Sequence, residues 1–155
     1  MARRSAGILL HRRADGGERE VLLVHPGGPF WAKKDAGAWS IPKGEHGDDE
    51  QPLDAARREF AEELGVALPA GEPVALGEIR QKGGKLVSAW AVEGDLDAER
   101  IVSNTFEMEW PPRSGKRASF PEVDRAGWFT LPAAREKLLA AQLPLLDRIA
   151  ELAGG

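Results

Sequence analysis

The sequence predicts an α+β fold, a mixed β-sheet held between α-helices. Three observations predict it: a pair of strand-like segments near the N-terminus, one strongly amphipathic helical segment after them, and a second strand pair followed by a C-terminal helical stretch. At 155 residues, with 42% apolar and 30% charged content, the chain suits a single domain over residues 1–155. No internal repeat or low-complexity segment interrupts it.

Residues 5–13 and 20–25 ("EVLLVH") read as strands separated by Asp15-Gly16-Gly17, a hairpin signal. Pro26 to Ala38, "PGGPFWAKKDAGA", is rich in Gly and Pro and is expected to be a mobile loop leading into "WSIPKGE". From Pro52 the pattern turns helical. Proline suits a first helical turn, and Leu53, Ala56, Phe60 and Leu64 form an apolar stripe at i, i+3, i+7 and i+11. Gly65 supplies a C-terminal stop. Residues 73–82 and 85–93 alternate like strands about Gly83-Gly84, read as a two-residue hairpin turn. The following stretch, through "NTFEMEWPPRSGKRASFPEVDRAGWFTL", is less regular. Pro132 to Leu152 reads as helix interrupted at Pro144.

Composition excludes several classes. The chain contains no cysteine, so neither a disulfide framework nor a thiolate metal site is available. The start "MARRSAGILLHRR" has an apolar run of about five residues, too short for a secretory segment or a membrane span. A cytoplasmic location and no membrane partner are the expectations. A net charge of −4 and a pI near 5.5 argue against duplex nucleic acid as a partner, because neutralising phosphates needs a basic surface. Nothing in the sequence sets an oligomeric state.

The segment from Arg57 to Val66, "RREFAEELGV", carries the most information. At about 100° per residue, Glu59, Glu62 and Glu63 share an arc of roughly 100° on one helix face. That arc borders the buried stripe of Leu53, Phe60 and Leu64. Like charges at such spacing repel. The arrangement becomes favourable if a hard divalent cation binds, since Mg²⁺ or Mn²⁺ takes carboxylate oxygens and keeps waters for substrate or nucleophile. The plainer reading is a solvated acidic face with Arg57 and Arg58 as partners.

Reading outward weighs between the two. Gly44, five residues, Glu50, seven residues and then Arg58-Glu59-Phe60-Ala61-Glu62-Glu63-Leu64-Gly65-Val66 resembles the signature of the Nudix hydrolases at every defined position. With usage of roughly 5–10% per residue type, the nine positions coincide by chance at a frequency on the order of 10⁻⁹ per window. The order of strands, loop and helix on either side is similar to that family over nearly the whole chain.

The resemblance implies a Nudix-like mixed sheet sandwiched between helices, and metal-dependent hydrolysis of a nucleoside diphosphate linked to a further moiety. By the matching positions, Glu59, Glu62 and Glu63 would ligate Mg²⁺ or Mn²⁺, with the Gly44 carbonyl a further ligand. Arg58 would orient a glutamate, as a guanidinium fork can without competing for the metal. Glu50 would close the loop or reach a metal through water. Gly44 and Gly65 would permit close backbone approach, and Phe60 and Val66 would be core. The general base is a signature glutamate or a later carboxylate, with Glu107, Glu109 and Glu122 as candidates. Glu122 is preferred because "PEVDRAGWF" resembles an acidic-then-tryptophan segment of several subfamilies; an exposed loop charge is its plain alternative.

Cations for phosphate binding fall in three groups. Lys43 in "IPKGE" is a candidate phosphate contact. Arg80 and Lys82, with Lys85, flank the Gly-Gly turn, where lysines also serve as a solubility device at sheet edges. Arg113 and Lys116, followed by Arg117, lie in the loop "PPRSGK" and its flank beside Phe106 and Trp110; they are candidates for holding a phosphate beyond the metal-bound pair while Trp110 holds a base. Both rings are equally readable as core. His11, His25 and His46 have no metal-ligand spacing, and His46 is expected to be exposed. The chain has no tyrosine for stacking a base, and Lys82 stands where ADP-ribose members often carry proline. These absences leave a nucleoside triphosphate or dinucleoside polyphosphate as the expected partner. A catalytically silent nucleotide-binding sensor of the same fold is the alternative, to be distinguished by loss of the metal carboxylates.

Overall fold

A computed structural model describes residues 4–152. The strands are β1 (Arg4–Arg13), β2 (Arg19–Pro26), β3 (Lys43–Glu45), β4 (Val74–Arg80), β5 (Leu86–Glu93), β6 (Thr105–Glu109), β7 (Arg117–Pro121) and β8 (Val123–Thr130); the helices are α1 (Pro52–Leu64), α2 (Leu131–Lys137) and α3 (Leu143–Leu152). Six strands form one sheet in the order β4-β5-β1-β2-β8, with β3 added beside β1, and β6 pairs with β7 in a separate two-stranded sheet. β1 and β5 run parallel while the other neighbours in the large sheet are antiparallel, so the sheet is mixed. Among the described residues, no helix is long and apolar enough to cross a membrane.

Strand alternation explains how the two faces are covered. Ala6, Ile8 and Leu10 of β1, with Leu22, Val24 and Val92, pack against Ala55, Ala56, Phe60 and Leu64 of α1. Leu9, Val21, Leu23, Val87, Ala89 and Ala91 point the other way, toward Ala134, Leu138, Leu145, Leu146 and Ile149 at α2 and α3. A strand buried on both faces needs a continuous apolar run, and "AGILL" provides it. The α1 stripe therefore docks where its spacing predicts. Gly65 closes the helix in the left-handed conformation (φ 72°), its N–H donating to the Ala61 carbonyl at 2.8 Å. A side chain there would also meet the Val102 carbonyl, 2.3 Å from an ideal Cβ.

One edge of β1 is shared. β2 pairs with its far half, His11 to Arg13, and β3 with its near half, Ser5 to Gly7. The chain from Ser40 to Glu45 is wedged between them, bridging Val24 at Ser40 and taking the Ile8 N–H on the Pro42 carbonyl at 3.1 Å. This wedge places β3 beside α1.

The mixed sheet between helices agrees with expectation, and five local readings need correction. The Gly83-Gly84 turn is no two-residue hairpin: a 3-10 turn over Lys82–Gly84 lies between β4 and β5, with both glycines at positive φ. The C-terminal helix breaks before Pro144, because Trp39 bridges Leu138, the Leu139 N–H goes to the Trp39 carbonyl, and Gln142 turns inward; Pro144 then sits in the first turn of α3. The irregular stretch holds three strands, β6 to β8. Val66, expected in the core, is 39% exposed because it follows the left-handed Gly65 out of the helix. His46 is half-buried, its Nδ1 3.0 Å from the Gly47 carbonyl, where exposure was expected.

The expected loop of residues 26–38 is tied down at its far end. His25, fully buried, contributes Nε2 as donor to the Lys34 carbonyl at 2.6 Å and sets Nδ1 2.9 Å from Asp124. Asp35 accepts from Trp39 Nε1 at 2.8 Å and pairs with Lys137.

Gln142 is the polar pin of the wedge. Its Oε1 accepts from the Ile41 N–H (3.0 Å) in a buried setting, and its Nε2 donates to half-buried Ser40 Oγ (3.0 Å) and Gln81 Oε1 (2.8 Å). Replacing it by Met keeps the volume and leaves the Ile41 amide unpaired, which should cost about 2 kcal/mol. Urea unfolding of Gln142→Met measures this directly, and an unchanged midpoint would show that the amide does not hold the wedge.

Candidate functional site

Pairing of Gly44 with Ala6 turns Gly44 toward the α1 face of the sheet. Glu59, one turn from the end of α1, lays its carboxylate directly on that glycine: an ideal Cβ at Gly44 would stand 2.0 Å from Glu59 Cδ. No other residue type leaves room. Glu62 and Glu63 follow on the same helix edge, and all three line a cleft of about 510 Å³ with Lys43, Gly44 and Glu122.

Arg58 holds this edge together. Its Nε and one terminal nitrogen donate to both oxygens of Glu50, at 2.9 and 2.8 Å. Its other terminal nitrogen donates to Glu59 Oε1 at 3.0 Å and reaches Glu62 at 3.3 Å. The guanidinium thus ties the loop before α1 to the carboxylate row, as a bidentate fork does. The hydrogen bonds from Arg58 hold the Glu50 carboxyl below its ordinary range. Those to Glu50 and Glu59 keep the guanidinium firmly charged.

The remaining carboxylates are costly when bare. Burial raises the Glu59 pKa, against the pull of Arg58. Burial and then the Glu59 charge push Glu63 from 4.5 up to about 8; the Lys43 charge and backbone N–H oppose this, and Glu122 adds to it. Burial and then the charge of Lys85 lower the Lys43 ammonium. Among the described residues, no three Asp, Glu or His side chains stand in a finished metal-holding group. Arg58 holds one oxygen of Glu59 and lies 3.3–3.4 Å from both oxygens of Glu62. The donor set still suits a hard divalent cation: three glutamates converge on one cleft, and Gly44 leaves the Glu59 carboxylate against the strand backbone.

Several sequence candidates lie in the cleft and others do not. Lys43, Gly44, Glu59, Glu62, Glu63 and Glu122 line it; Arg58 stands behind the carboxylates. Arg80 and Lys82 are exposed outside it, and the lysine of that turn that reaches the cleft is Lys85. Arg113 and Lys116 are exposed at the tip between β6 and β7, outside the cleft. Glu109 accepts from the backbone N–H of Arg113 and of Gly115, each at 3.1 Å, and Glu107 lies 3.8 Å from Arg117, so both acids are engaged in their own hairpin. Trp110 packs edge-on to Phe30 at 5.6 Å rather than into the cleft. Sequence reasoning passed over Ser5 and Trp31, which also line it. A serine inside a buried strand run is a signal available in the sequence; the position of Trp31 depends on the loop's anchoring.

Comparison with known proteins gives the family and the fold. A sequence model of the NUDIX domain matches residues 1–149. An RNA pyrophosphohydrolase from Bartonella henselae is 36% identical over 67 residues, covering 41% of this chain and 36% of the relative. The match thus spans about a third of that relative's length. A C. elegans Ap4A hydrolase binary complex superposes with a TM-score of 0.68 at 22% identity, over 97% of this chain and 99% of that one. The NUDIX domain of Shewanella oneidensis NrtR, complexed with ADP ribose, gives 0.65 at 19% identity over 99% and 89%.

Glu63 makes the bare site pH-sensitive. Its folded pKa of about 8 exceeds the 4.5 of an ordinary glutamate. The folded state therefore keeps a proton that the unfolded chain releases, and its contribution to stability, complete below pH 4.5, is lost as pH rises toward 8. In chelator, the wild-type melting temperature should decline over that interval relative to Glu63→Gln. Parallel profiles for the two proteins would place the raised pKa elsewhere.

Proposed function

This chain belongs to the NUDIX family, and from that premise we propose that it is a metal-dependent pyrophosphohydrolase acting on a nucleoside triphosphate or dinucleoside polyphosphate. The observation that carries the reading is that Glu59, Glu62 and Glu63 line one cleft, with Glu59 laid against Gly44 and with Lys43 and Lys85 in the same lining. Carboxylates that repel one another at the edge of a core are poor stabilisers and good ligands.

In this reading Glu59, Glu62 and Glu63, with the Gly44 carbonyl, hold Mg²⁺ or Mn²⁺. A bound divalent ion supplies charge neutralisation of the diphosphate and a water of lowered pKa. Arg58 orients Glu59 and Glu62 from behind and reaches no substrate itself. Lys43 faces the same cleft and contacts a phosphate oxygen. Glu122, which lines the same cleft, receives the proton released when water attacks phosphorus. The silent-sensor alternative predicts lost carboxylates, and all three are present.

A panel containing nucleoside triphosphates, Ap4A, ADP-ribose and 5′-triphosphorylated RNA, assayed with Mg²⁺ or Mn²⁺, tests this reading. Hydrolysis should be abolished by chelator, and metal should raise the melting temperature by binding the folded state. Glu62→Gln and Glu63→Gln should fold yet lose turnover by roughly two orders of magnitude or more, because an amide brings no charge to the metal. Near-normal turnover in both variants, or a melting curve indifferent to millimolar metal, would remove the proposed site.

A further inference from the structure

We propose that the cleft carries a second anion subsite, built by Ser5, Lys43 and Lys85 on the side of the sheet away from α1, which holds the phosphate beyond the cleaved pair. It rests on the pyrophosphohydrolase reading and names which part of the substrate that cleft selects.

Ser5 is the observation that points to a ligand. It lies in β1 at 1% exposure, and its Oγ has no hydrogen-bond partner. The same residue lines the cleft. A hydroxyl buried without a partner destabilises the fold, and a polar ligand in the cleft can satisfy it. The register says which residues accompany it. Ser5 is paired with Glu45 on one side and Val87 on the other, and Lys43 is paired with Gly7, two residues further along β1. Paired residues share a face and alternate residues repeat it. Ser5 and Lys43 therefore lie on the Leu9 and Val87 face, while Gly44 and Glu59 lie on the α1 face.

Lys85 enters from the turn before β5 and lines the same cleft. Its charge acts against the ammonium of Lys43. Two like charges and an unpartnered donor around one opening match the oxygens of a phosphate. Glu45 also lines this end, with its side chain at the exposed rim. β3 thus separates two sets of groups: carboxylates suited to a cation on one side, donors suited to an anion on the other. A polyphosphate lying across β3 meets both, whereas a diphosphate linked to a sugar has no phosphate to place on the second.

The test compares wild type with Ser5→Ala and Lys85→Gln by calorimetry in Mg²⁺ buffer, using tripolyphosphate and pyrophosphate as probes, and by kinetics on a nucleoside triphosphate and ADP-ribose. Ser5→Ala should melt at or above the wild-type temperature, since it deletes an unpaired hydroxyl. Either variant should bind tripolyphosphate roughly tenfold more weakly, the loss of one charge-assisted hydrogen bond, with pyrophosphate affected about twofold or less. KM for the triphosphate should rise alongside, with kcat and ADP-ribose kinetics nearly unchanged. Equal weakening of both probes would place these residues at the shared diphosphate and overturn the proposal. Undiminished tripolyphosphate binding in both variants would overturn it too. A wild type that hydrolyses nothing on the panel but shows the tripolyphosphate preference, lost in the variants, would refute the hydrolase reading while upholding the subsite; hydrolysis without that preference would do the reverse.

Discussion

The close approach of α1 to β3, Glu59 carboxylate against Gly44 backbone, is the constraint on which the rest of the site depends. It requires a glycine in a strand, where glycine weakens pairing, and it brings a charged group to the edge of the core. Both costs are offset locally. The apolar face of α1 is buried over β1 by Ala55, Ala56, Phe60 and Leu64, which fixes the helix's rotation and leaves its glutamates no other direction. Arg58 then neutralises part of the row and links it to Glu50 in the preceding loop. Helix packing sets the position, and the ion-pair network makes that position tolerable.

The same constraint organises the two sides of β3. This three-residue strand exists because β2 pairs with only the far half of β1, leaving the near half open to the wedge from Ser40 to Glu45. Gln142 reaches across from the α2 and α3 side to hold the wedge by the Ile41 amide. The helices on the far face thereby support a site built mainly by the helix on the near face. An error in the C-terminal segment would be felt at β3 without any contact to a glutamate.

What was legible in the sequence divides along the same line. The α1 stripe, its glycine stop and the spacing from Gly44 to Gly65 are local, and a helix converts such spacing directly into a shared face. Ser5 and Lys85 were not legible as partners, because they meet only through the parallel pairing of β1 with β5, some eighty residues apart. The break before Pro144 was misplaced for a related reason. Leu138 and Leu139 give up helical continuation for backbone pairing with Trp39, a tertiary gain that local propensity does not register. β6 and β7 alternate Phe106 and Met108 with exposed neighbours, but five-residue strands outside the main sheet leave only a faint period.

The loop of residues 26–38 shows how the remaining wall of the cleft is set by groups that never touch it. Trp31 lines the cleft, and Phe30 beside it packs on Trp110 of the β6–β7 unit. Phe106 of that unit lies 3.0 Å from where a Cβ on Gly28 would stand, so the hairpin rests on the start of the loop. The far end is fixed through the Lys34 carbonyl by buried His25, whose other nitrogen faces Asp124 in β8. Anchored at both ends, the loop holds Trp31 across from the carboxylate row at little further entropic cost on binding. The basic residues Arg113 and Lys116 sit at the outer tip of the same hairpin, with Glu109 fixing the turn that carries them. Their hairpin bears on the site through the aromatic contacts at its base, which is a different part from the one their charge suggests in the sequence.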